Sequence, residues 1–106
     1  MKVSIITICY NAVDHIDETL RSVVMQDHKD IEHIVIDGGS TDGTQQRIER
    51  YREVIAHFTS EKDKGVYDAM NKGLRAATGE VIAFVNAGDM IVHRSCVSEM
   101  AAEFEK

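Results

Sequence analysis

The run Ile34-Val35-Ile36-Asp37-Gly38-Gly39-Ser40-Thr41-Asp42-Gly43-Thr44 concentrates the residue types that could do chemistry. An apolar strand leads into an acid, two glycines and a cluster of hydroxyl and acidic side chains. A carboxylate at the carboxyl end of a strand in an α/β sheet stands where such sheets bind ligands. Glycines there let the backbone turn and come close to a ligand. Ser40, Thr41 and Asp42 are helix N-cap types, and Asp42 with Gln45 three residues on fits a capping box. The same junction also serves as a plain tight turn, so its meaning rests on what else lies near it.

Two other loops carry polar residues after apolar runs: Tyr10-Asn11 and Asn86-Ala87-Gly88-Asp89. Tyr10 offers a ring face on which a nucleobase could stack, or packs plainly at a strand end. Asp37 can accept hydrogen bonds from a base or ribose, or can serve the turn. Asp89 follows a buried strand and is exposed by the small residues before it. A hard divalent cation favours such an oxygen ligand and would neutralise a diphosphate in an acidic protein.

The elements that must position these residues follow from periodicity. Val3 to Cys9 is too apolar for a surface strand and reads as a central parallel one. Residues 14–27 place Ile16, Leu20, Val23 and Val24 on one helical face. A strand over Glu32–Asp37 follows, then a helix from Thr44 to about Ala56 with Ile48, Tyr51 and Ile55 on one stripe, then a short strand His57–Ser60. After a turn at Asp63-Lys64-Gly65, Tyr67 to Thr78 reads as a helix with Met70, Leu74 and Ala77 inward and Gly79 as its C′ residue. Glu80 to Val85 is a fourth strand, and residues 94–105 align Val97, Met100, Ala101 and Phe104 in a last helix. Alternating strands and helices predict a parallel sheet covered by helices, an α/β fold. Right-handed crossovers bring the βα loops to one carboxyl edge. The three polar loops therefore converge, which is harder to explain as turn chemistry than any one of them.

Composition narrows the function. With 106 residues the chain is a single domain or part of a larger one, and a net charge of −6 gives no basic footprint for nucleic acid. Cys9 and Cys96 are far apart, and the five histidines lack metal-ligand spacing, which fits a reducing, cytoplasmic compartment. No signal peptide is visible, and no apolar stretch approaches the ~20 residues of a membrane span. The turn Cys9-Tyr10-Asn11-Ala12 lacks the glycines of a dinucleotide-binding fingerprint, and no P-loop lysine motif is present. A receiver domain would need a buried lysine after a late strand, and a nucleotidyltransferase a glycine- and lysine-rich loop after the first. Neither is seen.

Together, Val3 to Asn11, the Asp37 to Thr44 block, and Ala69-Met70-Asn71-Lys72-Gly73 through Gly79-Glu80 resemble the family 2 glycosyltransferases. The stretch Ser60 to Gly73, with Phe84-Val85-Asn86-Ala87-Gly88-Asp89, is similar to the branch that builds bacterial exopolysaccharides such as colanic acid. The resemblance covers about the first ninety residues in order and spacing. It implies the nucleotide-binding half of a GT-A fold, a Rossmann-like parallel sheet in the expected order 3-2-1-4, transferring a sugar from a nucleotide-diphosphate donor to a saccharide or lipid-linked acceptor.

By that resemblance Thr7, Tyr10, Asn11 and Asp37 bind the nucleotide with Ser40 nearby, and Asp68 lies at the helix start beside the donor. Asn71 ties that helix to a neighbouring loop. The loop after the fourth strand normally carries a DxD-type motif for Mg²⁺ or Mn²⁺, and here only Asp89 is acidic. The carboxylate general base of an inverting mechanism is expected beyond Lys106, so no catalytic residue is assigned. The other reading is a non-catalytic nucleotide-binding or interaction module. The fourth strand would form an exposed apolar edge, which predicts self-association.

Overall fold

A computed structural model describes residues 1–106. The four strands are β1 (Val3–Cys9), β2 (Ile31–Asp37), β3 (His57–Ser60) and β4 (Val81–Phe84). They form one parallel sheet in the order β3-β2-β1-β4. The two central strands, β1 and β2, are the long ones and are buried along most of their length, their few polar residues included. Register decides where the loops emerge. Cys9 pairs with Asp37 and Asp37 with Ser60, so β1, β2 and β3 end level. β4 stops beside Ile6, but the chain keeps beside β1, with the Val85 and Ala87 amides donating to the Ile6 and Ile8 carbonyls.

Helices α1 (Ile16–Val24), α2 (Thr44–Glu49) and α4 (Cys96–Phe104) cover one face, and α3 (Val66–Ala76) covers the other. On the first face Cys9, Ile16, Leu20, Val35, Ile48 and Ile55 form one cluster, and Val3, Ile5, Val23, Val97 and Ala101 another. Ile6, Ile34, Ile36 and Ala69 pack beneath α3. Val24 and Phe104, expected on buried stripes, are exposed.

Three expectations change for physical reasons. The helix drawn from Thr44 to Ala56 ends at Glu49 and is followed by a 3₁₀ turn over Arg52–Val54. Bonds from Tyr51 to Ile48 and from Val54 to Tyr51 tighten the chain so that extended Ile55 still enters the core. α3 packs through Ala69 and Gly73, whereas Leu74 is 42% exposed and Met70 only half-buried. A Cβ on Gly73 would lie 2.5 Å from Ile6 Cγ2, so the helix rests on the sheet through its smallest residues. Finally, Gly79 is no left-handed C′ residue. Ala77 is already extended, and a Cβ on Gly79 would meet the Ser4 amide at 2.7 Å and Ser4 Oγ at 2.5 Å.

That close approach closes a clamp at the amino edge of the sheet. Glu32 accepts from the Ser4 hydroxyl (2.8 Å), the Thr78 amide (2.8 Å) and the Thr78 hydroxyl (2.7 Å), with Lys2 Nζ at 3.2 Å. Partial burial pushes the Glu32 carboxyl up, but the Thr78, Ser4 and Lys2 donors outweigh it and bring the group to about 2.

Candidate functional site

Asp37 ends β2 and is 0% exposed. Its carboxylate accepts from the Ser40 amide (2.9 Å), the Ser40 hydroxyl, the Ser60 hydroxyl (2.8 Å) and the Cys9 thiol (3.4 Å). One buried acid thus ties together the ends of β1 and β3 and the loop after β2. Burial of Cys9 itself, and then the charge and hydrogen bond of Asp37, push the Cys9 thiol up, so Cys9 is no ready nucleophile.

The hydroxyl and acidic residues after Asp37 do not form the expected capping box. They lace the second loop to the first. Ser40 Oγ accepts the Asn11 amide at 2.8 Å, and Asn11 Oδ1 accepts the Thr41 amide at 2.8 Å. Thr44 Oγ1 accepts the Ala12 amide at 2.9 Å, and Asp42 accepts the Val13 amide at 3.2 Å. Gln45 turns back onto the Ser40 carbonyl instead of capping α2. Hydrogen bonding from Thr44 holds the Asp42 carboxyl below the usual range, against some desolvation. Asn11 sits at φ 47°, a left-handed conformation that asparagine tolerates better than most residues.

Beside this laced pair lies a cleft of about 550 Å³, lined by Tyr10, Gly38, Gly39, Lys62, Asp63 and Val66 among others. Tyr10 is 63% exposed and forms one wall. The glycines keep the floor open: a Cβ on Gly38 would meet Asp63 Oδ2 at 3.0 Å and the Tyr10 ring at 3.4 Å. Gly39, at φ 84°, would meet the Lys62 amide at 3.1 Å. The amino end of α3 borders the opposite rim through Gly65, Val66 and Ala69.

The expected site residues separate into groups. Tyr10, Asn11 and Ser40 come together at the ends of β1 and β2, with Asp37 beneath them. Asp68 is in the first turn of α3, where it accepts the Lys64 amide at 2.9 Å. That bond, opposed by desolvation and aided by Lys72, lowers its pKa. Asn71 is exposed and makes no side-chain hydrogen bond, so it ties nothing. Thr7 stays inside the sheet, fully buried, with its hydroxyl 2.8 Å from His33 Nε2. Asp89 is exposed in the loop after β4, on the same edge but on the other side of β1. Asp89 donates its amide to the Asn86 carbonyl at 2.9 Å, and Gly88 supplies the φ of 97° that this tight turn needs.

Lys62 and Asp63 were not foreseen as lining residues. The only signal for them was the family-like stretch Ser60 to Gly73, since a charged run after a strand reads locally as a turn. No group of three or more histidine, cysteine or acidic side chains gathers anywhere into a metal-binding cluster. No helix is long and apolar enough to cross a membrane.

Comparison with known proteins agrees with this geometry. The chain is 42% identical over 88 residues to the uncharacterized glycosyltransferase MT1564 of Mycobacterium tuberculosis, covering 82% of this chain and 34% of that protein. It is 39% identical over 90 residues to a Bacillus subtilis protein named for teichuronic acid biosynthesis, the glycosyltransferase TuaG, covering 82% and 36%. The chain thus spans about a third of the length of the curated relatives it matches. Among solved structures, S. aureus TarS 1-349 in complex with UDP superimposes with a TM-score of 0.90 at 33% identity, over 99% of this chain and 32% of that one. The Pyrobaculum calidifontis mannosyltransferase PcManGT, in complex with GDP-Man and Mn²⁺, gives a TM-score of 0.81 at 32% identity, over 88% and 29%. The sheet order and helix placement are those of the nucleotide-binding part of a GT-A fold. The profile of glycosyl transferase family 2 matches residues 4–106, and the chain belongs to that family.

Proposed function

We propose that residues 1–106 are the donor-binding half of a cytoplasmic glycosyltransferase that moves a sugar from a nucleotide-diphosphate donor to a saccharide or lipid-linked acceptor in bacterial cell-surface polysaccharide assembly. The observation that carries this reading is the cleft between Tyr10, the Gly38-Gly39 floor and the Lys62-Asp63 loop, at the level ends of three strands. TarS, the UDP-bound neighbour, supports a uridine diphosphate donor. TuaG supports a surface-polysaccharide product.

In this reading Tyr10 stacks on the base, and Asn11 and Ser40 face the nucleoside. Asp37 and, one layer deeper, Thr7 hold that edge in shape. The amino end of α3, with Asp68 in its first turn, faces the anionic part of the donor through the helix dipole. Asp89 offers one hard oxygen ligand to Mg²⁺ or Mn²⁺, and the donor set fits such an ion if the diphosphate and water complete the shell. The cation would supply charge neutralisation of the departing diphosphate. No residue is assigned as the base that deprotonates the acceptor.

Calorimetric titration of the chain with UDP tests the cleft. Tyr10→Ala should weaken UDP by about 1–3 kcal/mol, the range for a lost base–aromatic stack, without altering the melting temperature. Equal affinity in both proteins would move the nucleoside elsewhere. Binding without transfer by these residues alone is expected both of a donor-binding half and of the second reading, a nucleotide-binding module. Transfer assayed with the longer chain of a relative fused at the matched residues separates the two.

The outer edge of β4 has no partner strand, and Ile82 and Phe84 on it are 42% and 37% exposed. We expect this edge to pair with a second chain. Sedimentation velocity should show mass rising with concentration. A strictly monomeric species throughout would mean that the edge is not a pairing surface.

A further inference from the structure

The Asp89 carboxylate makes no hydrogen bond or ion pair of its own, so its direction is inherited from its backbone. That backbone is held from α1. The Thr19 hydroxyl, fully buried, donates to the Asp89 carbonyl at 2.6 Å and accepts the Gly88 amide at 3.1 Å. Ser22 Oγ accepts the Ile91 amide at 3.0 Å while donating to the Thr19 carbonyl at 2.7 Å. Gln26 donates to the His93 carbonyl at 2.8 Å and accepts the Val97 amide at 3.0 Å. Thr19 and Ser22 fall on one face of α1, and Gln26 stands just past its C-terminal end. Together they form a polar rail that fixes the backbone from Gly88 to Val97.

We infer that Thr19 is a positioning residue for the Asp89 carboxylate, with Ser22 and Gln26 extending the same rail toward α4. The inference rests on the proposed reading of Asp89 as the cation ligand. The two bonds to Thr19 fall on the two residues that form the end of the tight turn, so losing them frees the turn that aims the carboxylate. A hydroxyl both donates and accepts at one atom, so the Thr19 side chain satisfies an N–H and a C=O one residue apart.

UDP affinity of the 106-residue chain, measured with Mn²⁺ and again with chelator, separates the possibilities. Thr19→Val keeps the shape but removes both bonds, and should abolish the gain in affinity that Mn²⁺ gives. Thr19→Ser should retain that gain, and affinity in chelator should be the same for all three proteins. A full Mn²⁺ gain in Thr19→Val, with the gain lost in Asp89→Asn, overturns the role of Thr19 and leaves Asp89 as the ligand. A gain kept in Asp89→Asn overturns the reading of Asp89 and this inference with it. Should Thr19→Val fail to fold, amide exchange in the wild type decides. The Gly88 amide should exchange at least tenfold more slowly than that of Met90, and equal rates would overturn the inference.

Discussion

Asp37→Ala is expected to destabilise the chain severely before it affects any ligand. The substitution strips the acceptor from the Ser40 amide and from the Ser40 and Ser60 hydroxyls at a fully buried position. Each buried donor left without a partner costs about 1–3 kcal/mol. With one hydroxyl repartnered, two unpaired donors still cost about 3 kcal/mol, against a total stability of about 5–15 kcal/mol. For a domain of this length that corresponds to a fall in melting temperature of roughly 10–20 °C. Asp37→Asn retains one acceptor oxygen and should lose about half as much. Thermal melts followed by UDP titration check both variants. An unchanged melt with lost affinity would make Asp37 a direct nucleotide contact instead of the tie beneath the cleft.

The second large effect is loss of stability in mild acid, centred on His33. Burial against the α1/α2 face of the sheet pushes its pKa down from 6.5 to about 4. Below pH 6.5 the unfolded chain takes up a proton that the native ring refuses until about pH 4. Neutral His33 therefore contributes its full stability above pH 6.5, and that contribution is withdrawn as pH falls to 4. Over the whole window the loss is about 3 kcal/mol. Glu32 acts in a separate, lower window, since its carboxyl is held near 2 and its contribution fades only below about pH 4.5. His33→Gln can still hydrogen-bond Thr7 but does not titrate. Denaturant melts at pH 7.5, 6, 5 and 4.5 should show the wild type losing stability faster than the variant. Parallel loss in both would clear His33 as the source.

The parts of this fold that were legible in the sequence are those set by local pattern. Val3–Cys9 and Ile34–Asp37 are mostly apolar runs of strand length, which suit the buried middle of a sheet. The alternation of elements then pointed to a parallel sheet and a common edge, and the family resemblance supplied the strand order. What was not legible depends on distance in space. Periodicity chose Met70 and Leu74 for the inner face of α3 because it weighs side chains by apolarity, whereas Gly73 is inside because nothing larger fits above Ile6. Ser40 and Asp42 looked like caps because cap motifs are local, but their partners Asn11 and Val13 lie 29 residues away. Thr19 and Ser22 drew no notice for the same reason, since their partners Gly88, Asp89 and Ile91 lie about 70 residues away. The family resemblance placed Tyr10, Asn11 and Asp89 on the working edge. It did not reveal that Asp37 is sealed from solvent.

The cross-tied loops have a consequence for how the cleft would receive a guest. On the Tyr10 side the walls are anchored to each other through Asn11, Ser40 and Thr44, so that surface is already ordered and gives up little conformational entropy on binding. The Lys62–Gly65 side is held only by local turns, Asp63 to the Gly65 amide and Asp68 to the Lys64 amide. The cleft is thus asymmetric in stiffness. Adaptation to a guest of different size would fall on residues 62–65, and the entropic cost of tight binding would be collected there, on one wall alone.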